Sequence, residues 1–528
     1  MKNFSFLLVL LGFIYINSSN LFPQYQNIRV DDPQNTNHNE VTIAINPVNP
    51  NILAGGANIN NFYSSTDGGL TWSESDMSST LGVWGDPVVI FDSLGNLYYA
   101  HLSNPGAGWW IDRIVVQKST DNGQTWNDGA GIGQNIEPQV QDKEWLAVDL
   151  TQSPYRGNIY VTWTEFDVYG SSNPSDSSRI RFSKSTDEGE TWSNPVVISD
   201  VSGNCIDDDN TTEGAVPCVG PNGEIYVSWA GPVGLVFDKS TDGGVTWGTD
   251  VFVSDIPGGW AYIIPGIYRA NGMPITMCDI SDSPHNGDIY ICWSDQRNGI
   301  TDTDIFLAKS TDSGATWSPA QRVNDDNTTR HQFFVWSTID QSTGHLWFVF
   351  YDRRNTTGSA TDVYVVKSTD GGNTFENFKV SESSFTPTAS IFFGDYTNIA
   401  AWEGKIYPIW TRLHDGIRST WIALVSDSST ITIAEDEIYK PEEFLLFQNY
   451  PNPFNPSTTI SYQLPKETFV SIIVYDVLGN EIETLTNHYM PAGVHEVTFD
   501  AGDLGSGMYF YRLKANEFEQ MNKMILIK

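Results

Sequence analysis

The stretch STDGGVTW at Ser240–Trp247 decides how this chain is read, because the sequence writes it six times. STDGGLTW (Ser65–Trp72), STDNGQTW (Ser119–Trp126), STDEGETW (Ser185–Trp192), STDSGATW (Ser310–Trp317) and STDGGNTF (Ser368–Phe375) differ from it in only a few letters. Their aspartates, Asp67, Asp121, Asp187, Asp242, Asp312 and Asp370, lie 54, 66, 55, 70 and 58 residues apart. A period of that size with strand-like content between the copies is the mark of a propeller blade. Each residue type has a turn-making task. The Asp accepts hydrogen bonds from backbone N–H groups two and three residues on, Gly accepts positive φ, and Thr bonds back to the turn. Trp drops into the packing next door. None of them is suited to be a nucleophile.

Around each copy the same order of strands recurs. In the third unit EWLAVDL (Glu144–Leu150) is an inner strand, GNIYVTWTE (Gly157–Glu165) a second, RIRFSKS (Arg179–Ser185) a third and PVVIS (Pro195–Ser199) a fourth, with the repeated octet as the turn before the last. With these features the chain resembles the Asp-box, sialidase-like β-propeller family over roughly residues 24–426. The resemblance implies that the boxes lie on the face opposite the ligand. Six boxes suggest six blades, but FFGDYTNIAAW, GKIYPIWTR and STWIALVS supply three further strands without a box. The similarity of NIRVDDPQNTNHNEVTIAINP to QRVNDDNTTRHQFFVWSTID places NIRVDD as the missing outer strand. The expected architecture is therefore all-β, a seven-bladed propeller with an N-terminal clasp and six blades as the alternative.

Composition sets the outer limits of function. Of 528 residues 17% are charged, and the formal net charge of −36 is spread along the chain, which argues against a nucleic-acid partner because phosphate binding needs a basic face. MKNFSFLLVLLGFIYINSSN reads as a signal peptide over residues 1–20, its apolar run too short for a permanent membrane span. Four cysteines do not make a disulfide scaffold. Cys278 and Cys292 fall on two adjacent strands and can face each other, Cys205 and Cys218 bracket one loop, and the pairing is open.

An acidic, Ser/Thr-containing linker covers residues 427–444, and the remainder, 445–528, alternates as a small Ig-like β-sandwich of about seven strands. YPNPFNPST, YDVLGN and GSGMYFYRL within it resemble the type A C-terminal sorting domain of the type IX secretion system of the Bacteroidetes. That resemblance implies delivery to the cell exterior or the outer-membrane surface, with the secretion machinery as a partner.

Candidate functional residues gather where loops enter the first strand or leave the second strand of each blade. The entries include Glu40, Asp86, Asp142, Lys143, Glu144, Glu213, Arg269, Asp395 and Tyr396, and the exits Glu165, Arg297, Arg353 and Arg412. A sialidase, as the family implies, holds its substrate carboxylate with three arginines and uses a tyrosine paired with a glutamate, plus an aspartate as acid/base. Arg297, Arg353 and Arg412 are the candidate clamp, and Tyr396, Glu165 and Asp142 the candidate catalytic residues, since bidentate guanidinium groups match a carboxylate. The Arg-Ile-Pro motif of sialidases is absent. A scaffold role for the arginines is also legible: SDQRNG (Ser294–Gly299) and YDRRN (Tyr351–Asn355) repeat one pattern, and pairing with Asp304 and Asp362 would staple each blade. Trp109 and Trp110, with Trp260, are candidate sugar-stacking platforms. Asp207, Asp208 and Asp209 offer hard oxygen ligands for Ca²⁺, with a solvated acidic loop as the other reading. The expected function is a secreted or surface protein directed at extracellular glycans or glycoproteins, as an exo-acting, sialidase-like glycoside hydrolase. The alternative is a non-catalytic glycan- or protein-binding propeller.

Overall fold

The computed structural model describes residues 25–35, 38–105, 110–414, 416–427, 444–449, 451–466, 468–490, 493–502, 504–516 and 518–528. The expected signal peptide, Trp109 and nearly all of the expected linker lie outside these residues. The chain divides into two units, Met1–Asp427 and Ser428–Lys528.

In the first unit the repeats fold into seven antiparallel sheets, each built on four strands; in six of them the strand order follows the chain. Their innermost strands, Thr42–Ile45, Val88–Phe91, Val140–Val148, Glu213–Val219, Ile275–Cys278, Gln332–Asp340 and Asn398–Trp402, neighbour one another in turn, and the last neighbours the first. The seventh sheet takes its outer strand from the other end of the unit. Asn27–Arg29 pairs with Ile417–Ala423 in the register Asn27↔Ala423 and Arg29↔Trp421. Asp31 locks this clasp by accepting the Thr420 N–H at 2.6 Å.

Sheets packed face to face bury their middle strands on both sides, which explains why the second strands read as near-continuous apolar runs. Ile159–Phe166, Ile225–Gly231 and Ile289–Asp295 are buried at every position. Trp163, Trp229, Trp293 and Trp410, at equivalent places in the repeat, are among the largest fully buried side chains.

The boxes form a more economical turn than the sequence suggests. In the fifth copy Asp312 Oδ1 accepts the N–H of Thr316, four residues on, at 2.9 Å, and Oδ2 accepts its hydroxyl at 2.6 Å; the expected bond from three residues on is present at Asp242 and Asp370, each at 3.0 Å. Ser310 Oγ donates to Asp312 at 2.8 Å and accepts the Gly314 N–H at 2.8 Å. The same set recurs at Asp67, Asp121, Asp187 and Asp242. Two consecutive residues take positive φ. The first tolerates Asn122, Glu188 or Ser313, while the second is Gly in every copy. A Cβ on Gly314 would lie 2.2 Å from the Phe237 ring of the preceding sheet, and one on Gly123 would lie 2.3 Å from the Phe62 ring. The second glycine thus sets how closely neighbouring blades approach.

The expected arginine staple needs correction. Arg297 pairs with Asp295, two residues before it, and Arg354 with Asp352, while Asp304 and Asp362 are met by Arg322 and Lys379. The aspartate next to the arginine in sequence captures it first because a two-residue separation needs no ordering of a loop. All four cysteines are free thiols. Cys278 lies opposite Ile289 and Cys292 opposite Ile275, so the ladder register keeps that pair apart.

The second unit is a β-sandwich of seven strands among the described residues, three in one sheet and four in the other. Thr468–Tyr475 alternates buried and exposed positions, as a strand with one face on a core must. The NPF turn is pinned inside it: Phe454 is buried and its N–H donates to the Ile525 carbonyl at 2.9 Å.

Candidate functional site: an axial cavity

One backbone device, repeated at the entry to the inner strands, positions the site. Glu40, Asp86, Lys143, Gly214, Phe334 and Gly394 all take positive φ, and the ladder slips at Asp142/Trp145, Glu213/Val216 and Phe333/Trp336. A bulge re-aims the side chains beside it. The slip at Asp142/Trp145 brings Asp142 and Lys143 to one cavity with Glu40 and Asp86, whereas the slip at Phe333/Trp336 carries buried apolar side chains.

The result is a cavity of about 460 Å³ lined by Asn39, Glu40, Asn58, Ile59, Trp84, Asp86, Trp110, Asp142, Lys143, Tyr169, Arg269, Phe392 and Arg418, among others. No Asp-box residue lines it. Its apolar wall carries two indoles, Trp84 (37% exposed) and Trp110 (40% exposed), packed edge to face with centroids 6.2 Å apart. Beneath the cavity Tyr396 packs against Trp145 at 5.2 Å and Trp336 at 5.9 Å, in three side chains that are all buried.

The polar wall is organised on one ammonium group. Lys143 Nζ lies 2.9 Å from Asp395, 3.3 Å from Asp86 and 3.7 Å from Glu40, with its side chain only 5% exposed. Arg269 arrives on an excursion between the fourth and fifth blades, held by the small hairpin Ala261–Tyr262 and Ala270–Asn271. It makes a two-pronged contact with Asp395 and reaches Asp207 at 3.3 Å. Arg418 donates to the Phe392 carbonyl at 2.9 Å.

Burial and neighbouring charge split the carboxyls into two kinds. Burial pushes Asp142 up to about 6, against the pull of Lys143, and with the Asp86 charge it raises Glu40 well above the ordinary carboxylate range. Glu144 and Glu213 are raised mainly by burial too. Asp395 goes the other way: burial opposes ionisation, but Arg269 and Lys143 hold its pKa far below the usual range. The cavity therefore holds a carboxyl that titrates near neutrality, Asp142, beside Lys143, which the fixed anion Asp395 holds in place, an arrangement suited to proton transfer.

The sequence candidates separate on this geometry. Asp142 and Trp110 line the cavity, and Trp109 lies outside the described residues. Tyr396 sits below it, its hydroxyl raised by burial and without a hydrogen-bond partner among the described residues. Glu165 is engaged elsewhere, accepting from Arg179 at 2.8 Å and Asn135 at 2.7 Å, so it is not brought to Tyr396. The three arginines do not converge. Arg297 binds Asp295 and stacks 4.2 Å from Phe306. Arg353 is buried between Thr361 Oγ1 at 3.0 Å and the Pro265 carbonyl at 2.7 Å. Arg412 donates to Ser383 Oγ at 2.9 Å. Trp260 is buried, its N–H on Asp207 at 2.9 Å, and is no open platform. Asp207, Asp208 and Asp209 each accept from protein donors, namely Trp260 and Tyr169, Asn204 and Asn210, and the Ala261 N–H. No group of three or more His, Cys, Asp or Glu among the described residues is arranged to hold a metal ion.

Sequence reasoning passed over Trp84, Asn39, Asn58, Tyr169 and Arg418. Gly85-Asp86 and Gly394-Asp395 repeat the same pair at two strand entries, and both aspartates end on Lys143.

Fold and tail together define an exported β-propeller protein. Residues 448–528 match the secretion system C-terminal sorting domain, so the chain is directed by type IX secretion to the exterior or the cell surface. No helix among the described residues is long and apolar enough to cross a membrane. The chain is 30% identical over 158 residues to a sialidase of Bacteroides fragilis, a match that covers 24% of this chain and 27% of that protein. Among solved structures, a mutant of Trypanosoma rangeli sialidase displaying trans-sialidase activity is 11% identical, with 97% of this chain and 90% of that one covered at a TM-score of 0.44. The NanB sialidase of Streptococcus pneumoniae is 10% identical, with 71% and 83% covered at a TM-score of 0.44. A Dyadobacter fermentans protein of unknown function is 12% identical, with 77% and 98% covered at 0.43. These structural likenesses fix no residue in this chain.

Proposed function

We propose that the protein is directed at extracellular glycans and that the axial cavity holds a glycan end, with Asp142 donating a proton to the glycosidic oxygen in an exo-acting hydrolysis. The observation that carries this reading is the placement of the Asp142 carboxyl, raised to about 6, in a cavity of about 460 Å³ with Trp84 and Trp110 on one wall. That volume lies within the roughly 300–1,000 Å³ of small-ligand pockets. A general acid works best when its pKa lies near the operating pH, and indole faces stack on the C–H faces of sugar rings. Glu40 and Asp86, on the same wall, are the carboxyls available as the second group that glycoside hydrolysis needs.

The second reading, a binding propeller without turnover, draws on the engagement of Glu165 with Arg179 and on Tyr396 having no hydrogen-bonded partner among the described residues. A tyrosine nucleophile needs an adjacent base. The test is release of fluorophore from a panel of exo-glycosides, sialosides included, by the mature protein and by Asp142→Asn. Turnover lost in Asp142→Asn with folding intact supports hydrolysis. Binding on a glycan array without turnover supports the second reading, and silence in both assays refutes the proposal.

A further inference from the structure

Two of the three cations lining the cavity, Lys143 and Arg269, are already committed to internal carboxylates, and the third, Arg418, donates to the Phe392 carbonyl. Three carboxylates surround Lys143 Nζ within 4 Å, and its side chain is almost closed to solvent. Arg269 spends one edge on Asp395 and a further nitrogen on Asp207. A cation saturated in this way gives an incoming anion little, because the anion must approach the carboxylates as well. The buried side of the wall leans the same way: Asn39 Oδ1 is an acceptor with no hydrogen-bond partner among the described residues. At larger scale the chain carries a formal net charge of −36, whose field repels polyanions during approach.

The opposite wall offers the complement. Trp84 and Trp110 present aromatic edges and faces beside Ile59, all more than a third exposed. Such a surface suits an uncharged ring whose hydroxyl groups donate hydrogen bonds to carboxylates on the other side.

Resting on the glycan reading above, we infer that the cavity takes an uncharged sugar residue, stacked on Trp110 and Trp84 with its hydroxyls on the carboxylate wall, and discriminates against carboxylated sugars. The specificity comes from repulsion built into the acceptor wall as much as from attraction.

The experiment compares pairs that differ only in one group: methyl glucoside with methyl glucuronide, and methyl galactoside with methyl galacturonide, with a methyl sialoside alongside. Binding to the mature full chain is read from ligand-observed NMR and from tryptophan fluorescence. The neutral member of at least one pair binds about tenfold or more tightly than its acid, the size expected for one unscreened like-charge contact at close range. Trp110→Ala loses that binding, and Asp86→Asn narrows the gap by improving the acid. Asp86 is buried against Lys143, so retained near-UV circular dichroism and an unchanged melting temperature in each variant identify a binding effect. Equal or tighter binding of the glucuronide, galacturonide or sialoside overturns this inference and leaves the glycan reading standing. Silence across the whole panel overturns both.

Discussion

Gly314→Ala tests the claim that the second box glycine governs blade spacing. Gly314 has φ of 81°, and its Cβ would fall 2.2 Å from Phe237 Cε1 and 2.6 Å from Cζ. Phe237 is buried and already packs against Trp317 at 5.1 Å, so it cannot yield freely. An L-residue in the left-handed region costs about 1–2 kcal/mol, and overpacking a filled core adds about 1–3 kcal/mol. Gly157→Ala supplies the control, since Gly157 has φ of 84° with nothing within 4 Å of its Cβ. Both variants restrict the unfolded chain equally, so that contribution cancels between them. The expected difference is the packing part alone, about 1–3 kcal/mol. Urea unfolding of the mature protein, followed by tryptophan fluorescence, measures it. If Gly314→Ala costs no more than Gly157→Ala, the glycine serves only its own turn and the blade-spacing argument is wrong.

Three other outcomes follow from the same geometry. Thermal stability of the propeller should peak near pH 4–5 and fall toward neutrality. Asp121, Asp312 and Asp370 are held at about 2 by their turn hydrogen bonds, so their contribution is full above the unfolded value of about 3.9 and is lost as pH falls through 2. Burial raises Asp142, Asp250 and Asp352 to about 6 and Asp238 to about 7, so these groups destabilise progressively as pH rises from about 4 through those values. A melting-temperature maximum above pH 7 contradicts this balance. Deleting residues 25–31 removes the clasp strand and the Asp31 acceptor, and hydrogen exchange should then quicken first in Ile417–Ala423; unchanged exchange there would show that the ring does not depend on its clasp. Finally, Arg297→Ala and Arg412→Ala should leave sugar affinity within about twofold, the scale of substitutions outside a contact surface, whereas Trp110→Ala should weaken it. A large loss in either arginine variant would move the site away from the axial cavity.

The candidate site was legible in its residue types more than in its membership. Asp142 was recognisable because entries to inner strands converge on a propeller axis whatever the details, and Trp110 because it stands in the loop after a second strand, on the same face. The arginines misled because Arg297 is satisfied by Asp295, two residues away, and a local partner of that kind is invisible to a search for convergent charge. Tyr396 stands at a strand entry in the sequence, but in space it lies below the cavity against Trp145 and Trp336.

The sequence by itself determined the repeat, the four-strand unit, the N-terminal closing strand and the C-terminal sandwich, because each depends on local turn chemistry or on two-residue alternation that recurs along the chain. Tertiary structure alone decided which side chains meet on the axis. Lys143 gathers Glu40, Asp86 and Asp395 from three other blades, and Arg269 crosses from its excursion to the seventh. Those contacts span up to 252 residues of chain in the case of Lys143 and Asp395. Lys143 takes positive φ at a ladder slip and so leaves the alternation of its strand, and a one-residue slip in a ladder leaves no periodic trace in the sequence.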